Sequence, residues 1–315
     1  MGAAGLALVI AAAIPGAGAV PPRLVFMLDW FPNPDHVPLY AAQGEGFFTQ
    51  EGVRVTLQVP ANTDDPLKLA AAGRVDVAVN YEPNVILARA QGLPVRSIGL
   101  LVGQPLTTVM FLRSSGIRSP KDLEGRRAGV SVTGFAEAMV DQMMRTAGGS
   151  ATRVQMVSVG FDLVPALLAH KVDAVVGAYR NYERVQIELQ GQAVGMFEPE
   201  RYGVPPFDEL VLITSDQSLA RHRDALGRFV RAVGRGIAFT LAHPDQAFAE
   251  YVRANPNMTL DDDLNRTSFQ ATLPTYARSQ VQSAARWAEF DRWLAAHKVI
   301  AAPVSTQALY TNLAP

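Results

Sequence analysis

Leu24-Val25-Phe26-Met27-Leu28-Asp29-Trp30-Phe31-Pro32-Asn33-Pro34-Asp35-His36-Val37-Pro38-Leu39-Tyr40 is the stretch on which the reading of this chain turns. Leu24 to Leu28 is a short, bounded apolar run, as expected of a strand buried on both faces of a parallel sheet. Polar and aromatic groups then crowd together: Asp29, Trp30, Asn33, Asp35, His36 and Tyr40. Pro32, Pro34 and Pro38 fix φ and bias the residues before them towards extended backbone, so the loop is stiff. Asp35 is expected to cap the helix that follows, with Pro38 tolerated in its first turn. In an open α/β sheet, the loop leaving a strand's carboxyl end is where ligands bind. Trp30 offers a flat apolar face there, and Asp29, Asn33 and His36 offer directional polar groups. The competing expectation is that Trp30 is core and the prolines only shape a turn.

Outward from this loop, strand and helix patterns alternate. Val53 to Val59, Val75 to Val79 and Val95 to Val102 read as strands, separated by helices after Pro38, after Pro66 and up to Ala90. Such alternation builds a parallel-sheet lobe. The plan then repeats, with strands at Val109 to Leu112, Arg127 to Val132, Val154 to Val159 and Val172 to Val176. Ala136, Met139, Val140, Met143, Met144 and Ala147 recur at helical spacing, a pattern of packing rather than of a cofactor site. After a strand from Leu210 to Thr214, the remainder reads as helices at Ala225 to Leu241, Pro244 to Ala254, Asp261 to Leu273 and Trp287 to Ala296. These are expected to cover the first lobe, with Trp287 and Trp293 in its core.

One internal similarity decides the architecture. Ala71-Ala72-Gly73-Arg74-Val75-Asp76-Val77-Ala78-Val79, then Tyr81, matches Leu168-Ala169-His170-Lys171-Val172-Asp173-Ala174-Val175-Val176, then Tyr179, with a one-residue offset at the tyrosine. Two copies about 100 residues apart point to two α/β lobes whose strand-end loops face each other across a cleft.

Composition fits an ordinary globular chain: 315 residues, 49% apolar and 18% charged. A net charge of −1 gives no electrostatic case for nucleic acid or an anionic membrane surface as partner. The chain contains no cysteine, so disulfides, thiolate metal sites and a cysteine nucleophile are ruled out. His36, His170, His222, His243 and His297 are scattered without metal-ligand spacing. The apolar run Ala3 to Ile14 is too short to span a bilayer, and Ala17-Gly18-Ala19 follows as a small-residue cleavage pattern. We read residues 1–19 as a secretory signal peptide cleaved near Ala19, without a basic n-region, so the expected location is periplasmic.

The opening loop, Ala42 to Gly46 with Phe47-Phe48, the Gly73-Arg74-Val75-Asp76 turn, Tyr81-Glu82-Pro83 and Tyr202 to Leu210 together carry a resemblance. The chain resembles the family that joins fungal thiamin-pyrimidine synthases to the pyrimidine-binding proteins of bacterial thiamin-precursor ABC transporters. The resemblance covers nearly all of the mature chain. It implies an α/β, type II periplasmic binding protein fold: two lobes, two crossover strands and a cleft between them. The boundaries expected are 20–105 with 211–315 for lobe I and 106–210 for lobe II. The family's synthases carry a lysine and a histidine just after the Val-Asp strand and a cysteine run near the second crossover. Here Asn80, Asn84 and Gly203 to Glu209 stand in those places, which leaves a pyridoxal-phosphate Schiff base without its amine.

The resemblance therefore implies a binding protein without chemistry of its own and without a cofactor. It would deliver a formylaminopyrimidine or hydroxymethylpyrimidine to an ABC permease and act as a monomer. Alternatives keep the fold and change the ligand to riboflavin, a sulfonate or another heterocycle, or take the chain as a pyrimidine synthase. The expected ligand contacts are Trp30 with Tyr81 or Tyr179 as stacking faces, and Glu82, Asp208 or Glu209 as acceptors for an amino group. Asn33 or Asn181 would serve ring nitrogens or a formyl oxygen, with Asp29 and His36 beside them. Thr133, Gly134 and Phe135 would present a helix start.

Overall fold

The computed structural model describes residues 20–313, so the signal-peptide reading lies outside the described residues. Among the described residues ten strands form two sheets. In chain order they are β1 (Arg23–Met27), β2 (Arg54–Gln58), β3 (Val77–Asn80), β4 (Val95–Val102), β5 (Thr107–Leu112), β6 (Arg127–Val130), β7 (Gln155–Ser158), β8 (Ala174–Tyr179), β9 (Val194–Phe197) and β10 (Leu210–Ser215). The first sheet runs β2-β1-β3-β10-β4 and the second β7-β6-β8-β5-β9. Each is parallel on one side and carries one antiparallel strand in fourth place, β10 or β5. These two are the strands that follow the two passages of the chain between sheets, 103–106 and 198–209.

The internal similarity is structural. Gly73 and His170 both have positive φ, +64° and +54°, at the helix-to-strand turn. In each lobe the following aspartate staples the turn to the first parallel strand. Asp76 Oδ2 accepts from the Val25 N–H at 2.7 Å and Asp173 Oδ2 from the Arg127 N–H at 2.9 Å. The Asp76 and Asp173 N–H groups donate back to the Val25 and Arg127 carbonyls. The one-residue offset at the tyrosine also has a cause. Thr108 pairs with Ala178 and Val109 with Val176, so Gly177, at φ +90°, is an extra residue bulged out of β8. It turns Tyr179 into the same cleft that Tyr81 enters from the other lobe.

Covering helices pack as the apolar spacing requires. Asp216–Ala242 and Pro244–Ala254 lie on Val37–Gly44 beside the first sheet. Gly236 permits the approach, because a Cβ there would collide with the Pro38 carbonyl and Ala42. Trp287 and Trp293 are buried as expected, and Trp293 Nε1 donates to the Gly203 carbonyl at 2.9 Å. One expectation is corrected: Asp263–Thr272 does not cover the first lobe alone. It packs on Glu183–Leu189, a helix of the second lobe, and on the turn Pro34–His36. Among the described residues no helix is long and apolar enough to cross a membrane.

Candidate functional site

The opening loop leaves β1 and enters the gap between the lobes, where it shapes a cleft holding about 730 Å³ of atom-free space, part of it open to solvent. Asn33, not Asp35, caps the short turn Pro34–His36, through Oδ1 to the Asp35 N–H at 2.9 Å. The expected cap is wrong because Pro34 starts a separate turn one step earlier, and this frees the Asp35 carboxyl to face the cleft. The Asn33 N–H donates to His36 Nδ1 at 3.3 Å, which assigns the remaining ring proton to Nε2, 2.8 Å from Asp29 Oδ1. Asp29 Oδ2 in turn accepts from the Tyr81 hydroxyl at 3.0 Å. His36 thus lies behind the wall, fully buried, and positions Asp29 rather than lining the cleft.

Of the residues singled out in the sequence, Asp29, Trp30, Asn33, Tyr81, Phe135, Tyr179 and Glu209 line the cleft. The others do not, each for a visible reason. Glu82 accepts from the Asp208 N–H at 2.7 Å and Asp208 pairs with Arg286, so both stand behind the second crossover. Burial and the neighbouring Asp208 carboxylate push the Glu82 carboxyl well above the ordinary range. Asn181 donates to Asp35 Oδ1 and Thr272 Oγ1, both at 2.7 Å, joining the lobes. Thr133 and Gly134 are exposed, and the Gly134 N–H is already taken by the Glu137 carboxylate at 2.9 Å. Arg180 is held by Glu200 and Glu198.

Trp30 has a double place. It lines the cleft, yet it belongs to the second lobe's apolar cluster with Leu163, Val175 and Ile187, and Phe161 meets its ring at 4.6 Å and 84°. A first-lobe loop thereby plugs the second lobe's core. Its Nε1 is buried without a partner among the described residues, as is Ser131 Oγ on the opposite wall. Residues missed by sequence reasoning are Thr107, Ser131, Tyr182 and Glu183, with Asp35 and Asn84 noticed there but not as ligand contacts. Glu183 had a signal, since it follows the second lobe's aromatic-polar loop as Glu82 follows the first.

The charge of the lining is one-sided. Asp29, Asp35, Glu183 and Glu209 are present and, among the described residues, no arginine or lysine lines the cleft. Their oxygens are not equally free. Both oxygens of Asp29 are engaged, by His36 and Tyr81. Both oxygens of Glu209 are engaged by Leu106 and Thr107. Asp35 has one oxygen held by Asn181, and Glu183 has one held by the Tyr179 N–H at 2.7 Å. Burial pushes both of these carboxyls up to about 7. Burial likewise raises the phenols of Tyr81 and Tyr179, which stay neutral donors.

The comparisons agree with this architecture. The model of the family described as "NMT1/THI5 like" matches residues 33–247, more than half of the chain. The chain belongs to that family. Among NMT1/THI5-like relatives, the formylaminopyrimidine-binding protein of Halalkalibacterium halodurans is 34% identical over 293 residues, covering 91% of this chain and 89% of the relative. The 4-amino-5-hydroxymethyl-2-methylpyrimidine phosphate synthase of Legionella pneumophila is 29% identical, covering 92% and 91%. The solved alkanesulfonate-binding protein SsuA of Xanthomonas axonopodis superposes with a TM-score of 0.73 at 14% identity, covering 94% of this chain and all of that one. That likeness shows the fold: this NMT1/THI5-like chain has the two-lobed periplasmic binding protein architecture.

Proposed function

We propose that this protein is the exported, monomeric substrate-binding component of an ABC importer, taking a thiamin-precursor pyrimidine of the formylaminopyrimidine or hydroxymethylpyrimidine type between its lobes for delivery to a permease. The observation that carries the reading is the lining: free carboxyl oxygens and neutral phenols with no cationic side chain. An aminopyrimidine is a flat ring with an amino donor beside ring-nitrogen acceptors, and it suits such a wall. A sulfonate would find no arginine or lysine in this lining and would meet repulsion from its carboxylates. The Halalkalibacterium relative supports the same ligand class, and Ala17-Gly18-Ala19 supports export. The lobe limits we infer are 20–105 with 211–315 and 106–210. Closure around the ligand would be the working motion, with contacts from both walls favouring the closed form.

The synthase-named relative motivates a second reading. Against it, Lys68, Lys121, Lys171 and Lys298 are the chain's lysines and none lines the cleft. The test is calorimetric titration of residues 20–315 with formylaminopyrimidine, hydroxymethylpyrimidine, thiamin, riboflavin and taurine. Tight binding of one pyrimidine is expected. Heat from riboflavin or taurine alone sinks the ligand assignment, and formation of pyrimidine phosphate on adding pyridoxal phosphate and iron sinks the non-enzymatic reading.

A further inference from the structure

Hydrogen-bond accounting leaves two side chains in the cleft wall with an open carboxyl oxygen, Asp35 and Glu183. Of the lining carboxyls, Asp29 and Glu209 have both oxygens already hydrogen-bonded. Asp35 keeps Oδ2 without a hydrogen bond among the described residues, but it is 1% exposed and tied to the opposite lobe through Asn181, so it serves closure. Glu183 is 8% exposed; its Oε2 accepts from the Tyr179 N–H, its own backbone N–H lies close to the carboxyl, and its Oε1 has no other hydrogen bond among the described residues. Oε1 is also absent from the fully occluded orphans such as Trp30 Nε1, which leaves it reachable from the cleft.

We propose that Glu183 is the specificity-determining group of the cleft: it binds, as the acid, the donor-beside-acceptor edge of an amino-substituted nitrogen heterocycle, and so couples ligand binding to uptake of one proton. This rests on the functional reading above and adds the atom and the proton to it. A carboxylic acid donates through Oε1–H to a ring nitrogen while Oε2, one lone pair of which is held by the Tyr179 N–H, accepts from the adjacent amino N–H with its other lone pair, a two-point match that a carboxylate facing a neutral heterocycle lacks. The balance is simple. Ionised Glu183, the neutral heterocycle and one proton from solvent give a complex in which that proton sits between Glu183 Oε1 and the ring nitrogen.

The surroundings favour the acid form. Around Glu183 the titratable groups are Tyr179 on β8, Tyr182 on its own helix, Asp35 and Asp29 on the opening loop, and Asp262 at the start of the helix Asp263–Thr272. The helix Leu163–Leu168 and strand β9, which also pack here, carry none. The nearby guanidinium groups are engaged elsewhere: Arg180 with Glu200, Arg184 with Glu188, Arg266 with Asp261. Burial then holds the Glu183 carboxyl up at about 7, where physiological pH populates both forms.

The experiment is calorimetric titration with hydroxymethylpyrimidine and formylaminopyrimidine from about pH 6 to about pH 9, in two buffers of different ionisation enthalpy, for the wild type, Glu183→Gln and Asp35→Asn. Expected are uptake of about one proton per ligand above pH 7 and a Kd that rises about tenfold per pH unit there. Glu183→Gln, whose amide offers a permanent donor and acceptor, should bind with a Kd independent of pH and take up no proton. Asp35→Asn should keep the uptake. A pH-independent Kd in the wild type, or proton uptake that persists in Glu183→Gln, overturns this inference and leaves the pyrimidine reading standing. Failure of every pyrimidine to bind at any pH overturns both. The wild-type proton count needs no variant, so a misfolded Glu183→Gln does not spare the proposal.

Discussion

Glu209 and Thr107 hold the two crossovers together: the Glu209 carboxylate accepts from the Thr107 N–H and from its hydroxyl, each at 2.8 Å, and from the Leu106 N–H at 2.5 Å. The donors are buried at the end of the first passage and the start of β5, so Glu209, which also lines the cleft, staples the two crossovers. Glu209→Ala leaves two buried N–H groups unpaired and should cost about 3 kcal/mol. Glu209→Gln, which keeps one acceptor oxygen, should cost about 1 kcal/mol. Urea denaturation midpoints check both.

Trp30 separates packing from recognition. Truncation to Ala empties the second lobe's cluster at Phe161 and Leu163 and should destabilise by about 3 to 5 kcal/mol. Trp30→Phe retains most of the apolar fill and should lose no more than about 2 kcal/mol while still removing the Nε1–H from the cleft. Thermal melts of both variants, beside pyrimidine titration of the Phe variant, measure the two roles apart.

Asn181 is the side chain that ties the opening loop to the second lobe. Asn181→Ala removes its bonds to Asp35 and Thr272 and should shift the lobes towards an open form. With each bond worth about 1 kcal/mol net, pyrimidine affinity should fall about tenfold or more. Small-angle scattering should show a larger radius of gyration without ligand; an unchanged radius would count against this role.

Acid and base should act on stability in a definite direction. The Asp35 carboxyl is raised from 3.8 to about 7 in the fold, so its contribution is fully present below pH 4 and is lost as pH rises through 7. Glu183 acts in the same sense. Between about pH 5 and about pH 8 the pair should cost the protein a few kcal/mol, roughly 3 for each carboxyl. Melting temperatures across that window should fall for the wild type and fall less for Asp35→Asn.

The repeat makes a local prediction. Gly73 occupies its left-handed turn without penalty, whereas His170 holds the matching turn at φ +54° with a Cβ. His170→Gly should stabilise by about 1 kcal/mol, since the carbonyl that Arg127 binds is unaffected. A stability shift of the opposite sign in chemical denaturation would refute the equivalence of the two turns.

Local chemistry determined much from the sequence. The bounded run at Leu24, the alternating strands and the helical spacing of Met139, Val140 and Met143 depend on residues a few positions apart, and the elements stand within a few residues of where the pattern puts them. The repeat fixed two lobes, and even the tyrosine offset was present in the letters as the bulge at Gly177. Among the elements that were not legible, β9 is a short edge strand containing Gly195, and Glu183–Leu189 alternates apolar and polar residues, which gives no helical stripe.

Tertiary structure alone decided which acids keep an unbonded oxygen in the cleft wall. Glu82, Asp208 and Glu209 have the same chemistry in sequence as Asp35 and Glu183, yet Glu82 Oε2, one oxygen of Asp208 and both oxygens of Glu209 are claimed by donors about 80 to 130 residues away, at Asp208, Arg286, Leu106 and Thr107. A carboxyl's availability is what remains after its hydrogen bonds are assigned, and those partners meet only when the two crossovers lie side by side.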